Sequence, residues 1–344
     1  MAKKEYDNVD LVGSYKSIPV QPAFLQSIGA FDEKPVKTVK IDVDFLKSES
    51  AKLFDTTHRY GSDLNTIKTS KGQSFSVELP HEYAHAEISA SDFQGRRAIG
   101  SEDEVTVEGL MVQKMADLKD SHVRTKELAL WNALAHGTVV DDKTNGGNVS
   151  WGETFGATQE SGTVSSAVTG DPLKDLSLIV SKLRRNMGGW VRNSKGIVVL
   201  AGDDLFNAIR FHPLVAAAAK QGLIDGSFIY GAGEVNPGFN MFSPFGSSLT
   251  IVQNDNPDFE LAADSGLAFP LFRKTMGTVQ SPLTSYYGPA SRDLQMARSG
   301  AARESFVWST EDEMRNIKIH HESSQIAVNY DMSFTAAIKL APAN

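Results

Sequence analysis

Between Ser101 and Gly137 the apolar and small residues return in steps of three and four, at Val107, Met111, Met115, Leu118, His122, Thr125 and Ala129. That period predicts one long amphipathic helix over residues 101–136. Ser101 with Glu104 has the spacing of a capping box, Glu102 and Asp103 put negative charge at the positive end of the helix dipole, and Gly137 is a natural stop. Asp120 and Arg124 stand four residues apart, the spacing of an ion pair on the wet side. Gly109 opposes the helix by about 1 kcal/mol relative to alanine. At about 1.5 Å per residue the rod is on the order of 50 Å long, which suits a subunit whose role is shape.

Other patterns flank it. Residues 1–35 carry Pro19, Pro22 and Pro35, with a short helical stretch at Ala23–Ile28. An extended arm seeking a partner surface and a frayed terminus are both open readings there. Val39, Ile41, Val43 and Phe45 alternate as a half-buried strand, as do Phe75, Val77 and Leu79, around a polar excursion at 47–72 that reads as a protruding hairpin or loop. After the rod, residues 137–170 are rich in Gly, Ser and Thr, with Val139, Val140, Trp151 and Phe155 as strand anchors and Asn145-Gly146-Gly147 as a tight turn.

Asp171-Pro172 starts a second helix, followed by Leu173, Leu176, Val180, Leu183 and Met187 and ended by Gly188-Gly189. Ile197–Leu200, Leu249–Val252 and Leu267–Phe272 are strands, and two short helices, 203–210 and 214–220, flank His212-Pro213. This section is an α/β lobe with its own core. Ile317 and Ile319, then Ile326, Val328, Tyr330, Met332 and Phe334, alternate around HHESS as a hairpin or two long strands beside the rod.

Composition narrows the classes. In 344 residues, 41% are apolar and 22% charged, which is a globular balance. There is no cysteine, so disulfides and cysteine–metal sites are excluded, in keeping with a reducing cytoplasm. The N-terminus lacks the apolar run of a signal peptide, and no segment is apolar enough to span a membrane. A net charge of −8 argues against gripping nucleic acid by its phosphates, although enclosing it is allowed.

One motif points to chemistry. His81-Glu82-Tyr83-Ala84-His85 fits H-E-x-x-H, in which two histidines one helical turn apart bind zinc and the glutamate activates water, with Glu104 as a third ligand. The motif needs a buried helix, whereas Pro80 here follows an alternating strand, so a polar turn is the plainer reading. Asp141–Gly146 begins like a calcium loop, but Lys143 takes a ligand position. Gly95–Gly100 lacks the lysine of a phosphate loop, and Gly231 and Gly233 lack the third glycine of a dinucleotide fingerprint. His320-His321 on a strand would point to opposite faces. Arg96-Arg97 and Arg184-Arg185 read as surface or interface pairs. No catalytic, cofactor-binding or metal residues are assigned, and an enzyme is not expected.

The runs Gln73–His81 (QSFSVELPH) and Ile88–Gly100 (ISASDFQGRRAIG) resemble the E-loop return and the lead into the spine helix of tailed-phage major capsid proteins, specifically the lambda-like major capsid protein E family. The stretch Glu127–Asp141 resembles that family's spine helix and its exit into a strand. Asp203–Ala208, His212–Val215 and Tyr286–Ala290 follow in the family's order.

The resemblance implies an α+β chain with the Hong Kong 97-type capsid fold. It would comprise an N-terminal arm and first strand (1–46), an E-loop (47–90), a peripheral domain (91–170) with the spine helix at 101–136, an axial domain (171–275) and a return to the peripheral domain (276–344). It further implies a virion protein assembled in the host bacterial cytoplasm. Such a subunit self-assembles into hexamers and pentamers of an icosahedral head that encloses double-stranded DNA without binding it specifically. Scaffold, decoration and portal proteins are the other partners this reading allows; no membrane is involved. Two alternatives stand beside it: a zinc metallopeptidase using His81, Glu82 and His85, and a cellular nanocompartment shell of the same fold.

Overall fold

The computed structural model describes residues 9–19, 23–46, 72–92, 106–140, 143, 147–220, 240–244, 248–273 and 281–342. The chain opens with β1 (Val9–Asp10), α1 (Val12–Ser17), α2 (Phe24–Ser27), β2 (Asp32–Pro35) and β3 (Lys40–Leu46). Then come β4 (Gly72–Glu78), β5 (His81–Ile88), α3 (Val107–Ala135), β6 (Thr138–Val139), β7 (Val149–Ser150), α4 (Trp151–Phe155), β8 (Glu160–Ser165) and α5 (Pro172–Met187). The lobe continues through β9 (Ser194–Ala201), α6 (Asp203–Arg210), α7 (Pro213–Lys220), β10 (Met241–Phe242), β11 (Leu249–Gln253) and β12 (Ser265–Phe272). Last are β13 (Leu283–Tyr287), α8 (Leu294–Ser299), β14 (Phe306–Glu311), β15 (Ile317–Asn329) and β16 (Ala336–Ala341).

Two six-stranded sheets carry the architecture. One runs β1-β14-β15-β13-β2, with β5 on the other side of β15; the second runs β10-β11-β9-β12-β16-β8. Helix α3 lies against β15 and β5. Its C-terminal Leu130, Trp131 and Leu134 share one core with Leu25 and with Val199, Leu200 and Phe269 of the second sheet. A smaller core joins Ile41, Val43 and Val77 to Trp151, Ile326 and Val328. Among the described residues no helix is long and apolar enough to cross a membrane.

The long helix is shorter than the period suggests. Thr106 is extended (φ −95°, ψ 153°), and its Oγ1 accepts from the Gly109 N–H, so the helix starts at Val107. The Ser101–Glu104 capping box lies outside the described residues. So do residues 47–71 of the excursion, Arg96-Arg97 with the Gly95–Gly100 run, Asn145 and Gly146 of the turn, and Gly231 and Gly233. The buried face also drifts: Val107 and Thr125 are exposed, whereas Met115, His122, Lys126, Leu130 and Leu134 are buried.

Further differences have physical causes. Trp151 and Phe155 anchor a short helix rather than a strand, because the Ser150 side chain caps it by accepting from the Glu153 N–H. HHESS is no turn; it lies inside the continuous strand β15. The odd-numbered side of β15 faces α3 throughout, with His321 beside His122 and Asn329 donating to the Ala133 carbonyl. The even-numbered side becomes apolar only from Ile326 on, where the smaller core covers it. The apolar phase therefore changes without a break in the strand. Strand β16 leaves this sheet and pairs in the second one, between β12 and β8.

Residues 9–19 and 23–35 are not frayed. Val9 and Asp10 pair with β14, β2 pairs in parallel with β13, and Phe24 and Leu25 are buried. The second helix begins where the sequence places it, with the Asp171 carboxylate accepting from the Lys174 N–H and Pro172 at the first turn. Strands β3 and β4 pair from Lys40↔Glu78 to Leu46↔Gly72, so the excursion springs from an antiparallel base.

Candidate functional site

Helix α3 turns a row of polar side chains inward, and that row holds the N-terminal segment. Lys119 Nζ donates to the carbonyls of Tyr15 (2.9 Å), Lys16 (3.2 Å) and Ile18 (2.6 Å), where helix α1 ends with open acceptors. Two turns further on, the Glu127 carboxylate accepts from the backbone N–H groups of Leu25 and Gln26 and from the Gln26 side-chain amide. Lys126 reaches Glu33 at 2.6 Å and Glu304 at 2.5 Å, joining β2 and the segment before β14 through one buried ammonium.

Burial decides the electrostatics of this row. It pulls the Lys126 ammonium down, but Glu304 and Glu33 outweigh it and the pKa ends above the ordinary lysine value. For Glu304 burial pushes up, yet the charge of Lys126 wins and the carboxyl is held low. Glu127 goes the other way: burial exceeds the help of the Leu25 and Gln26 donors, and its pKa is raised. Buried charge is tolerated here because each group is hydrogen-bonded.

Above Lys126 on the helix, His122 meets His321 of β15 with ring centroids 4.6 Å apart. Among the described residues neither His122 nitrogen, nor His321 Nε2, has a hydrogen-bond partner; Glu82 stands 3.7 Å from His122 Nδ1, within ion-pair reach but beyond a hydrogen bond. Burial first, and then His122, push the His321 pKa down to about 3.

The H-E-x-x-H residues lie on strand β5, not on a helix and not in a turn. Successive side chains alternate, so Glu82 faces α3 while His81, Tyr83 and His85 face the opposite side. At about 3.3 Å per residue, His81 and His85 are roughly 13 Å apart and cannot share one zinc ion. His81 Nε2 instead meets the Glu322 carboxylate at 2.9 Å. Burial would raise Glu322, but His81 and the N–H groups of Ser291 and Arg292 hold it low. Tyr83 Oη is 2.7 Å from His320 Nδ1, and His320 stacks on Trp308 at 5.2 Å. The two faces of His320-His321 are thus used separately, as the strand geometry requires. Among the described residues, no three His, Asp or Glu side chains converge to hold a metal ion.

A groove runs between α3 and the lobe, lined by Phe24, Val123, Arg124, Glu127, Leu200 and the 253–259 segment. Arg124 bridges it by pairing both carboxylate oxygens of Asp258 rather than Asp120, and Trp131 stacks on Phe259 at 4.5 Å. The arrangement binds segments of the chain to one another; it presents no nucleophile with a base. Lys119, Lys126 and Glu127 do not stand out in the sequence, since charge on a helix reads as a solvated face. The available signal is that Lys126 falls on the 115–122–126–130 buried stripe.

A sequence model described as "Phage major capsid protein E" matches residues 7–339. The major capsid protein of Pseudomonas phage KPP10 is 23% identical over 224 residues, covering 63% of this chain and 62% of that protein. The match therefore spans about three-fifths of that relative's length. Among solved structures, the cyanophage A-1(L) capsid asymmetric unit has a TM-score of 0.54 at 14% identity, covering 92% of each chain. A phage-related protein from Bordetella bronchiseptica has a TM-score of 0.52 at 11% identity, covering 96% of this chain and 95% of that one. At these identities the likeness to solved structures is one of fold.

Proposed function

This chain belongs to the phage major capsid protein E family, and from that premise we propose that it is the shell-forming subunit of a tailed-phage head. The observation that carries the proposal is the family match over residues 7–339, nearly the whole chain. The fold is the Hong Kong 97-type capsid fold that the sequence resemblance implies, and the family is one of structural proteins, not enzymes. On this reading the chain is a component of the virion. Copies self-assemble as hexamers and pentamers around double-stranded DNA, and the net charge of −8 disfavours adhesion of phosphates to the wall.

The same reading divides the chain into a 1–46 N-terminal segment, a 47–90 E-loop, a 91–170 peripheral domain, a 171–275 axial domain and a 276–344 return. Strands β8 and β16 lie outside the 171–275 segment yet complete its sheet. Helix α3 acts as the member that the N-terminal segment and both sheets share. The strand setting of His81 and His85 removes the metallopeptidase alternative, and membership in a phage family favours a phage head over a nanocompartment.

Electron microscopy and analytical ultracentrifugation of the full chain, alone and coexpressed with the genes flanking its own, test the proposal. Closed shells, tubes or ring-shaped capsomers are expected. A folded chain that stays monomeric under every one of these conditions overturns it.

A further inference from the structure

The lobe built on the second sheet carries two exposed surfaces of opposite sign. Helix α5 lies hard against edge strand β8: a Cβ on Gly162 would sit 2.5 Å from Ile179 Cδ1. Its inner face, Leu176, Ile179 and Leu183, is buried. Its outer face exposes Lys174, Leu178, Arg184 and Arg185, with Leu178 58% accessible and short serines at 177 and 181 beside it. A leucine so exposed among cations on a helix suits a contact with an anionic, partly apolar surface.

Such a surface exists on the same lobe. Strands β9 and β11 run parallel, and beyond their C-terminal ends lie Asp203, Asp255, Glu260 and Asp264, all exposed, with the exposed Ala262 and Ala263 among them. From Leu249 to Phe272 there is no lysine or arginine. Asp258 is engaged by Arg124. Asp255 has its pKa raised by burial and then by the charge of Asp203, so like charges crowd there and a cation from outside would relieve them.

We propose that the outer face of α5, through Lys174, Leu178, Arg184 and Arg185, docks on the acidic strand-end surface of an adjacent copy, formed by Asp203, Asp255, Glu260 and Asp264. The inference rests on the shell-subunit reading and specifies one of its contacts. Because the two surfaces differ, the contact is heterologous, and repeating it by rotation generates a ring. Charge complementarity sets the register, while Leu178 against Ala262 and Ala263 supplies the apolar centre.

Paired charge reversals test it in the full chain. Arg184→Glu with Arg185→Glu turns the helix face net negative against the acidic surface; Glu260→Lys with Asp264→Lys balances Asp203 and Asp255 and removes the net charge of the strand-end surface. All four positions are exposed, so circular dichroism should match wild type. Each double variant alone should lower the assembled fraction, measured by sedimentation, about tenfold or more, since the attraction between the two surfaces is reversed in one and lost in the other. Combining all four changes in one chain should restore assembly, and mixing the two double variants should restore even-membered rings, in which they can alternate. Double variants that assemble as wild type does, or a mixture and a quadruple variant that both stay unassembled, overturn the contact alone. A wild-type chain that never assembles overturns the shell reading and this contact with it.

Discussion

The imidazoles of His122 and His321 stand 4.6 Å apart between the long helix and the long strand, both rings buried and three of their four nitrogens without a hydrogen-bond partner among the described residues. Tyr15 of α1 closes the cluster with its ring 5.5 Å from His321, and Glu82 of β5 and Glu304 before β14 are the carboxylates nearby. The His321 pKa is pushed down to about 3 by burial and then by His122, against an ordinary value of 6.5. Between those limits the unfolded chain binds a proton that the folded chain refuses. Stability from this group is therefore full above pH 6.5 and is lost as pH falls toward 3, about 3 kcal/mol by pH 4. His321→Phe, which keeps a ring in the site, should flatten the fall in urea midpoint between pH 7.5 and pH 4.5. An unchanged slope would show that the histidine is not the group that titrates.

Glu127 gives a second prediction, on the N-terminal segment. Its carboxylate is the acceptor for two backbone N–H groups and one side-chain amide of residues 25–26. Glu127→Ala leaves those donors without their acceptor and should cost about 2–4 kcal/mol. Hydrogen exchange should speed up at residues 24–27 before it does in β9 or β12. Uniform acceleration across the chain would mean that the segment is not held locally by Glu127.

The legibility of the fold follows the range of the interactions. Helix α5 could be read from Asp171-Pro172 and Gly188 because its cap and stop are local. Strands β3, β9, β11 and β12 were legible because apolar alternation or a short apolar run survives in each. The polar row of α3 was not, because Lys126 is buried only by virtue of Glu33 and Glu304, both remote in sequence. The H-E-x-x-H run could be doubted from Pro80, but its strand character depends on pairing His81 with Ser324. The place of β16 depends likewise on β8 and β12, which local pattern does not encode.

Lys126 itself supplies a third prediction. Only 4% exposed, it sits between two carboxylates. Lys126→Met removes the cation and leaves Glu33 and Glu304 facing each other, at about 3–5 kcal/mol in thermal or urea unfolding. Adding Glu33→Gln and Glu304→Gln to that variant should recover most of the loss, since the repulsion goes with the charges. Additive losses in the triple variant would show that the lysine acts through packing of its alkyl chain instead.

The last prediction concerns the turn where β9 enters α6. A Cβ on Gly202 would lie 2.4 Å from the Ala262 carbonyl oxygen and 2.7 Å from that of Ala263, both backbone atoms. Those carbonyls are held in place: Ala263 accepts from the N–H groups of Asp204 and Leu205, and Ala262 from that of Ser265. Neither can retreat without giving up a hydrogen bond, so Gly202→Ala should destabilise by about 2–4 kcal/mol. Gly189→Ala is the matched control, because a Cβ there meets nothing within 4 Å. Two equal unfolding midpoints would mean that the segment from Ala262 to Ala263 yields freely. A large loss at Gly202 alone would show that the acidic strand-end surface, which includes Asp264, is rigidly carried by β9.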